Sequence, residues 1–323
     1  MSVRSRVRYW LDEPVPIVRL EIVRIAMPLV VLGFMWARVT HADHWLGAAG
    51  FRVPDLGGDW RQPLYVPPLP AWAAWSIGVA MVASGVATSI GWKTRASAFV
   101  FSATLFFGAL SDRLAAYSVS KLSPVIILAL AIGPAGRMLS VDGWLHTRRT
   151  GKHWKTERPS GAVRFLQLLP VTLYMASGIA KARADWLHEP LVLYSQIHGS
   201  YQTPIAYFLA RVIPRPLWTV LQGAVLTFET TAPLTFAWRR TRPFALVFGL
   251  GMHAMIGLMF GPVVWFALLM ITLLVAGYLP EPLLARFIDL TSRARGPRGD
   301  RSSTSSRRDP ARRARRATSR EAS

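Results

Sequence analysis

Apolar positions along the chain gather into eight stretches, at approximately 20 to 40, 71 to 91, 96 to 111, 122 to 136, 162 to 181, 217 to 238, 243 to 261 and 263 to 282. A hydrocarbon core of ~30 Å asks for about 20 apolar residues in a helix. The third and fourth stretches are short for a full crossing, so they are expected to tilt, to extend into their flanks or to be partly buried among the others. Only the turn around Gly261 and Pro262 separates the seventh from the eighth. The pattern predicts an all-α fold, a polytopic membrane helix bundle of about eight transmembrane helices. The first stretch follows Arg4, Arg6 and Arg8 and runs on to Arg38. It is longer than the ~7–15 apolar residues of a signal peptide, which marks it as a retained helix.

Charge adds an orientation. Of 323 residues, 17% are charged and 52% hydrophobic, where a soluble domain carries about a quarter charged residues. Lys and Arg number 38 against 17 Asp and Glu. With the N-terminus placed inside, 28 of the 38 basic residues fall on the side shared by both termini, eight fall on the other side, and Arg24 and Arg38 lie within the first span. Basic loops stay in the cytoplasm, so both termini are expected there, which also requires an even number of spans. The expected organisation is a cytoplasmic segment over 1 to 19, a transmembrane domain over 20 to 285 and an Arg-rich tail over 286 to 323. From Ser292 onward that tail holds eleven Arg against Asp300, Asp309 and Glu321, with almost nothing apolar. Such composition reads as disorder attracted to lipid headgroups rather than to nucleic acid. Arg supplies 33 of the 38 basic residues, and with abundant Ala this points to a high-GC bacterium and its cytoplasmic membrane.

The chain has no cysteine, which excludes disulfides, thiolate nucleophiles, Fe–S clusters and Cys-ligated zinc. No Gly-rich phosphate loop is present. His41, Asp43 and His44 place imidazole and carboxylate close together but lack a third and fourth ligand of recognisable geometry, so no metal site is assigned. Two segments outside the spans are rich in polar and aromatic residues. Residues 41 to 70 include Asp55, Asp59 and a Pro-rich run from Pro63 to Pro70, a loop with little helical potential. Residues 187 to 216 carry Tyr194, Tyr201, Tyr207, His188 and His198. There Thr203 and Pro204 form an N-cap and N1 pair for a short amphipathic helix through about Val212, in a re-entrant or interfacial cover over the bundle.

Ionisable groups at bilayer depth cost on the order of 2.5–3.5 kcal/mol each, so each needs a reason. Glu229 and His253 sit mid-way along consecutive antiparallel stretches joined by a tight loop, and a contact between them is expected. The alternative for them is an interhelical bond of purely structural value. Glu21 and Arg24 are spaced i, i+3 and read as a structural pair. Asp112 and Arg113 end the third stretch as an interfacial anchor. Lys181 ends the fifth stretch, with Arg183, Asp185, Trp186, His188 and Glu189 just beyond. A Lys at a helix end ordinarily snorkels to the interface. A desolvated Lys beside Arg183 can instead serve as a base, and spacing alone leaves both readings open.

The string SGIAKARADW around Lys181 resembles a segment of the vitamin K-dependent γ-carboxylase and its bacterial relatives, the horizontally transferred transmembrane (HTTM) domain proteins. LEIVRIAMPLV in the first stretch, PAGRMLSVDGW over 134 to 144, and Glu229 followed by His253 fit the same pattern. The similarity covers roughly residues 15 to 282. It implies that Lys181 is the base that deprotonates a quinol, as the matching Lys of the animal carboxylase does with vitamin K hydroquinone. The chain also departs from the family. SVSKLSP at 118 to 124 carries no His where the family often has one. No large extracytoplasmic domain follows the eighth stretch, which counts against protein γ-carboxylation.

The resulting expectation is a bacterial HTTM-domain protein acting on a quinol or other lipophilic small molecule, or modifying an exported peptide. Lys181, Asp185 and His188 are the candidate catalytic residues, with Asp185 and His188 orienting the Lys. Tyr174, Trp186, Glu229 and His253 are the candidate substrate-binding residues. The expected partners are the lipid bilayer and such a ligand, a quinone or hydroquinone being the one cofactor type considered. The alternative is a non-catalytic transporter or membrane partner in the export or maturation of a secreted peptide.

Overall fold

The computed structural model describes residues 3–50, 66–111 and 118–286. The middle of the Pro-rich loop with Asp55, Asp59 and Pro63, the Asp112–Arg113 anchor and nearly all of the Arg-rich tail lie outside the described residues. Two compact units are present, Met1–Pro280 and Glu281–Ser323. In the second, residues 281 to 286 are helical.

The first unit is an all-α polytopic bundle. In chain order it comprises α1 (Val3–Asp12), β1 (Pro14–Pro16), α2 (Val18–Val39), α3 (Ala42–Leu46), α4 (Ala71–Ile90), α5 (Thr94–Ser111), α6 (Ser118–Ile132) and α7 (Val141–Thr150). It continues with β2 (Glu157–Pro159), α8 (Gly161–Arg183), α9 (Val192–Gln196), α10 (Pro204–Val212), α11 (Arg215–Ala237), α12 (Arg242–Met259) and α13 (Val264–Tyr278). Short 3₁₀ turns occupy Asp185–Leu187 and Gly261–Val263. Each of the eight apolar stretches is one helix. Among the described residues, five segments are long and apolar enough to cross a bilayer: α2, α4, α8, α12 and Gly261–Tyr278, which holds α13. The described part of α6 takes in the polar residues Ser118, Ser120 and Lys121 and ends at Ile132, four residues before the end the hydropathy pattern predicts, because Gly133 and Pro134 break the helix.

The end where α2 finishes and α4 begins is here called upper, the opposite end lower. α2 packs on α4 and α13; α4, α5 and α6 follow one another; α8 packs on α13 and α11; and α12 lies against α11 and α13. The central position of α2 follows from its sequence. Leu20, Val23, Met27 and Val31 recur at helical spacing and are all fully buried, forming one stripe. Outward positions are apolar too, as with Trp36, Trp72, Phe244 and Val247, all exposed. That distribution suits a surface solvated by lipid, where only backbone groups require internal partners.

At the lower end the interior holds a polar cluster centred on Glu21 and Arg24. Arg24 Nε donates to Glu21 Oε2 at 2.5 Å. Its Nη1 donates to the carbonyls of Thr88 and Ser89 at the end of α4, and its Nη2 to Leu139 at 2.6 Å and Met138 at 3.5 Å. Glu21 Oε1 accepts from the backbone N–H groups of Arg137 and Met138 at 2.9 and 3.1 Å. Gly91 caps α4 with φ +75°, and any Cβ there would meet Ser140 and the Arg24 guanidinium. Asp142 accepts from the backbone N–H groups of Lys93 and Thr94 at 2.9 and 2.7 Å, and so ties α7 to the start of α5. A two-stranded antiparallel pairing of β1 with β2 closes this end, an element too short for the hydropathy pattern to reveal.

Candidate functional site

The site is built where α8 meets α11. A Cβ at Gly178 would lie 2.8 Å from Thr230 N and 3.0 Å from Glu229 C, so the glycine lets the two backbones approach closely. The contact also sets depth. Above it α8 runs only to Arg183 and α11 continues back to Arg215, about 8 Å against about 21 Å at 1.5 Å per residue. Lys181 therefore lies well below the upper end of α11 rather than at the outer rim of the bundle, because the helix that carries it stops early.

The chain beyond α8 fills the space alongside the upper half of α11, and Gln222 holds it there. Gln222 is buried. Its side-chain amide donates to the carbonyls of Trp186 at 2.9 Å and Glu189 at 2.7 Å, and its carbonyl oxygen accepts from Leu193 N at 3.0 Å. Thr219 adds a bond from its hydroxyl to the Pro190 carbonyl at 2.8 Å. α10 forms as its sequence dictates, with Pro204 in the first turn and the Thr203 hydroxyl accepting from Ala206 N. Thr203 anchors it to the top of α12 through the Leu258 carbonyl at 2.6 Å. Residues 185 to 213 thus roof the site, and Gln222 is the functional residue that sequence reasoning missed. The available signal was a lone amide in an apolar stretch, two helical turns from Glu229 on the same face of α11.

Beneath that roof Lys181 Nζ donates to Glu229 Oε1 at 2.5 Å and lies 4.7 Å from the centre of a Trp186 ring. The Lys side chain is 25% exposed and the Glu side chain 7%. The pair lines a cavity of about 580 Å³ between α11 and α12, walled by apolar side chains such as Trp218, Val225, Met252 and Met255. Among the described lining residues Lys181 and Glu229 are the only charged ones. Glu229 Oε2 has no hydrogen-bond partner. Leu221, Gly251 and Met255 line the cavity and are also exposed on the bundle surface, and nothing lies within 4 Å of a Cβ placed on Gly251. The cavity therefore opens sideways between α11 and α12.

Glu229 and His253 do not bond to each other. Lys181 takes the carboxylate, and His253 Nε2 instead shares a hydrogen bond of 2.8 Å with the Tyr174 hydroxyl, leaving its Nδ1 without a partner. Helical spacing explains the correction, since Tyr174 and Lys181 stand two turns apart on one face of α8 and divide the two polar groups between them. The Tyr174 ring packs against Phe228 at 4.9 Å and against His253 at 5.7 Å. Asp185 and His188, expected to orient Lys181, are exposed, and neither side chain hydrogen-bonds to it. The 3₁₀ turn that follows α8 carries them onto the roof, while Trp186 between them turns inward. His44 and Asp43, 3.9 Å apart, sit on α3, and among the described residues no group of three or more His, Asp or Glu lies close enough to hold a metal ion.

Of the expected site residues, the fold gathers Lys181, Trp186 and Glu229 at the cavity and Tyr174 with His253 immediately below. These positions lie within residues 13–277, over which the chain matches the family model of the HTTM domain. Neither a curated protein nor a solved structure matches it. A match spanning most of the chain, over a bundle of long apolar helices, makes this an integral membrane protein of the HTTM domain family.

Proposed function

We propose that the protein binds a lipophilic small molecule of the quinol class in the cavity between α11 and α12, and that Lys181 removes its hydroxyl proton. The observation that carries this reading is a single Lys–Glu pair set at depth in an otherwise uncharged, largely apolar cavity that opens sideways between α11 and α12. Such a mouth suits a ligand arriving laterally from the bilayer. Met252 and Met255 suit an apolar body of irregular shape, and the Trp186 and Trp218 rings suit a flat one. Passage of one ammonium proton to Glu229 leaves a neutral pair and exposes an amine lone pair to the cavity, the form a base requires. The ligand hydroxyl then donates to that amine and gives up its proton to it, and the ammonium so formed stabilises the resulting anion. The basic residues of α7 and of the loop after α11 support assigning the lower end to the cytoplasmic side of a bacterial membrane, the side on which the charge pattern also puts both termini.

The test is oxygen uptake by the purified protein in lipid nanodiscs with a methylated naphthoquinol as substrate, because the quinol anion reacts with oxygen far faster than the neutral quinol. Wild-type protein is expected to accelerate uptake and Lys181→Ala to return it to background. A Lys181→Ala protein that inserts normally and retains full activity excludes the role.

A further inference from the structure

We infer that the lower end of the bundle holds a binding site for an anionic phospholipid, built around α7 from paired indoles and cations. It does not rest on the reading given to the Lys181 cavity. Among the described residues, four Trp rings at this end lie under a cation: Trp10 under Arg164 at 4.7 Å, Trp92 under Lys93 at 5.3 Å, Trp144 under Arg148 at 4.3 Å and Trp154 under Arg137 at 4.7 Å. The first pair is matched within the protein, because Arg164 Nη2 donates to Glu13 at 2.6 Å. The charged groups of Lys93, Arg137 and Arg148 have no acceptor among the described residues.

The three unmatched pairs are fastened to one another through α7. Asp142 N donates to the Gly91 carbonyl at 2.9 Å, and the Asp142 carboxylate accepts from Lys93 N, Thr94 N and the Thr94 hydroxyl, which holds Trp92 and Lys93 against the start of the helix. Trp144 and Arg148 are i, i+4 neighbours within it. Trp154 stacks on His146 of α7 with ring centres 3.9 Å apart, while Arg137 N donates to Glu21 at 2.9 Å. The patch is thus held in place by the fold. Its charge is one-sided: residues 137 to 158 hold six Lys and Arg against Asp142 and Glu157, and Asp142 is already occupied by its three donors. Trp92 and Trp144 are 49% and 50% exposed. α4 ends at Ile90, so Trp92 lies just past the end of a spanning helix, at the headgroup level that indoles favour. A guanidinium beside it grips a phosphodiester through paired hydrogen bonds. An indole for the boundary between chains and headgroup, with a cation for the phosphate, fits a phospholipid. The surplus of positive charge repels the choline of a zwitterionic headgroup and selects a lipid of net negative charge.

The test titrates the full chain in detergent with phosphatidylglycerol, with phosphatidylcholine of the same acyl chains and with glycerol 3-phosphate, and counts bound molecules by native mass spectrometry. Phosphatidylglycerol is expected to bind saturably and several-fold more tightly than phosphatidylcholine. Glycerol 3-phosphate, which offers the phosphate without the chains, is expected not to displace it. Arg148→Gln should weaken phosphatidylglycerol about fivefold, and Arg137→Gln combined with it should bring the affinity close to that of phosphatidylcholine, which itself stays unchanged. Arg148 is exposed, so the single variant carries the test if the double variant fails to fold. Trp144→Leu keeps every charge and should still weaken phosphatidylglycerol several-fold. Arg312→Gln with Arg313→Gln removes two charges from the Arg-rich tail instead and should change this binding less than Arg148→Gln does. Equal losses from the tail and the α7 variants, an indifferent Trp144→Leu, no preference for phosphatidylglycerol, or its displacement by glycerol 3-phosphate overturns the proposal.

Discussion

Among the described residues two carboxylate–cation pairs lie inside this bundle, one fully buried and one buried at its carboxylate, and they differ in how completely they are bonded. Around Glu21 and Arg24 every guanidinium nitrogen and both carboxylate oxygens have partners, on α2, on the end of α4 and on the segment before α7. Around Lys181 and Glu229 one carboxylate oxygen has no partner, the ammonium has a single protein acceptor and a cavity adjoins both. The first arrangement has nothing to offer a ligand and much to lose if disturbed. The second leaves bonding capacity beside an opening, which is what recognition of a small molecule needs.

The largest expected effect follows from breaking the saturated pair. Arg24→Met leaves the Glu21 carboxylate buried without its counter-charge, and three segments lose a common anchor. A loss of about 3–5 kcal/mol is expected for removing one member of a buried pair, seen as a sharp fall in thermal midpoint of the detergent-solubilised protein. The double variant Glu21→Gln with Arg24→Met should recover part of it, since no lone charge then remains. A shift no larger than that of an average surface substitution would erase the contrast between the two pairs.

The corresponding change at the second pair is expected to be milder. Lys181→Met keeps the stem packed along Trp186 and removes a partner from a carboxylate that borders a cavity, where water can replace it. About 1–3 kcal/mol is the expected cost, less than at Arg24 in the same unfolding measurement. A cost equal to or above that of Arg24→Met would recast Lys181–Glu229 as a structural clamp and remove the main support for ligand chemistry there.

Hydropathy and charge fix most of this architecture in advance, for identifiable reasons. The eight helices are legible because lipid demands long apolar runs, and the Thr203–Pro204 start of α10 because an N-cap followed by Pro is a local signal. Glu21 and Arg24 are legible as a pair because helical spacing brings them together within one element. Lys181 and Glu229 stand 48 residues apart on different helices, and their pairing depends on the relative depth of α8 and α11. That depth is set by the close approach at Gly178 and by the early end of α8, neither of which a hydropathy pattern records. The expected Glu229–His253 contact considered α11 and α12 alone, whereas α8 supplies a partner to each group, Lys181 to Glu229 and Tyr174 to His253.

The roof offers an intermediate case, in which one side chain serves three backbone groups. Gln222→Leu keeps the volume of the side chain but orphans the Leu193 N–H and the carbonyls of Trp186 and Glu189. A cost of about 1–2 kcal/mol is expected, and it should be local. Hydrogen exchange over residues 186 to 193 should accelerate while the amides around Arg24 stay protected. Uniform acceleration across the bundle would mean that the roof and the lower end unfold together and that the two regions are not independent.

The smallest effect on stability is expected at the cavity mouth, where it separates folding from recognition most cleanly. A Cβ on Gly251 meets nothing within 4 Å, and replacing Gly within a helix favours the helical state by roughly 0.5–1 kcal/mol relative to the unfolded chain. Gly251→Leu should therefore leave the thermal midpoint unchanged or slightly raised, while its side chain projects across the opening between α11 and α12. Naphthoquinol-dependent oxygen uptake should fall several-fold with Lys181 and Glu229 untouched, and the smaller Gly251→Ala should fall between. Uptake that is indifferent to both substitutions would show that the ligand reaches Lys181 by another route, through the roof rather than from the bilayer.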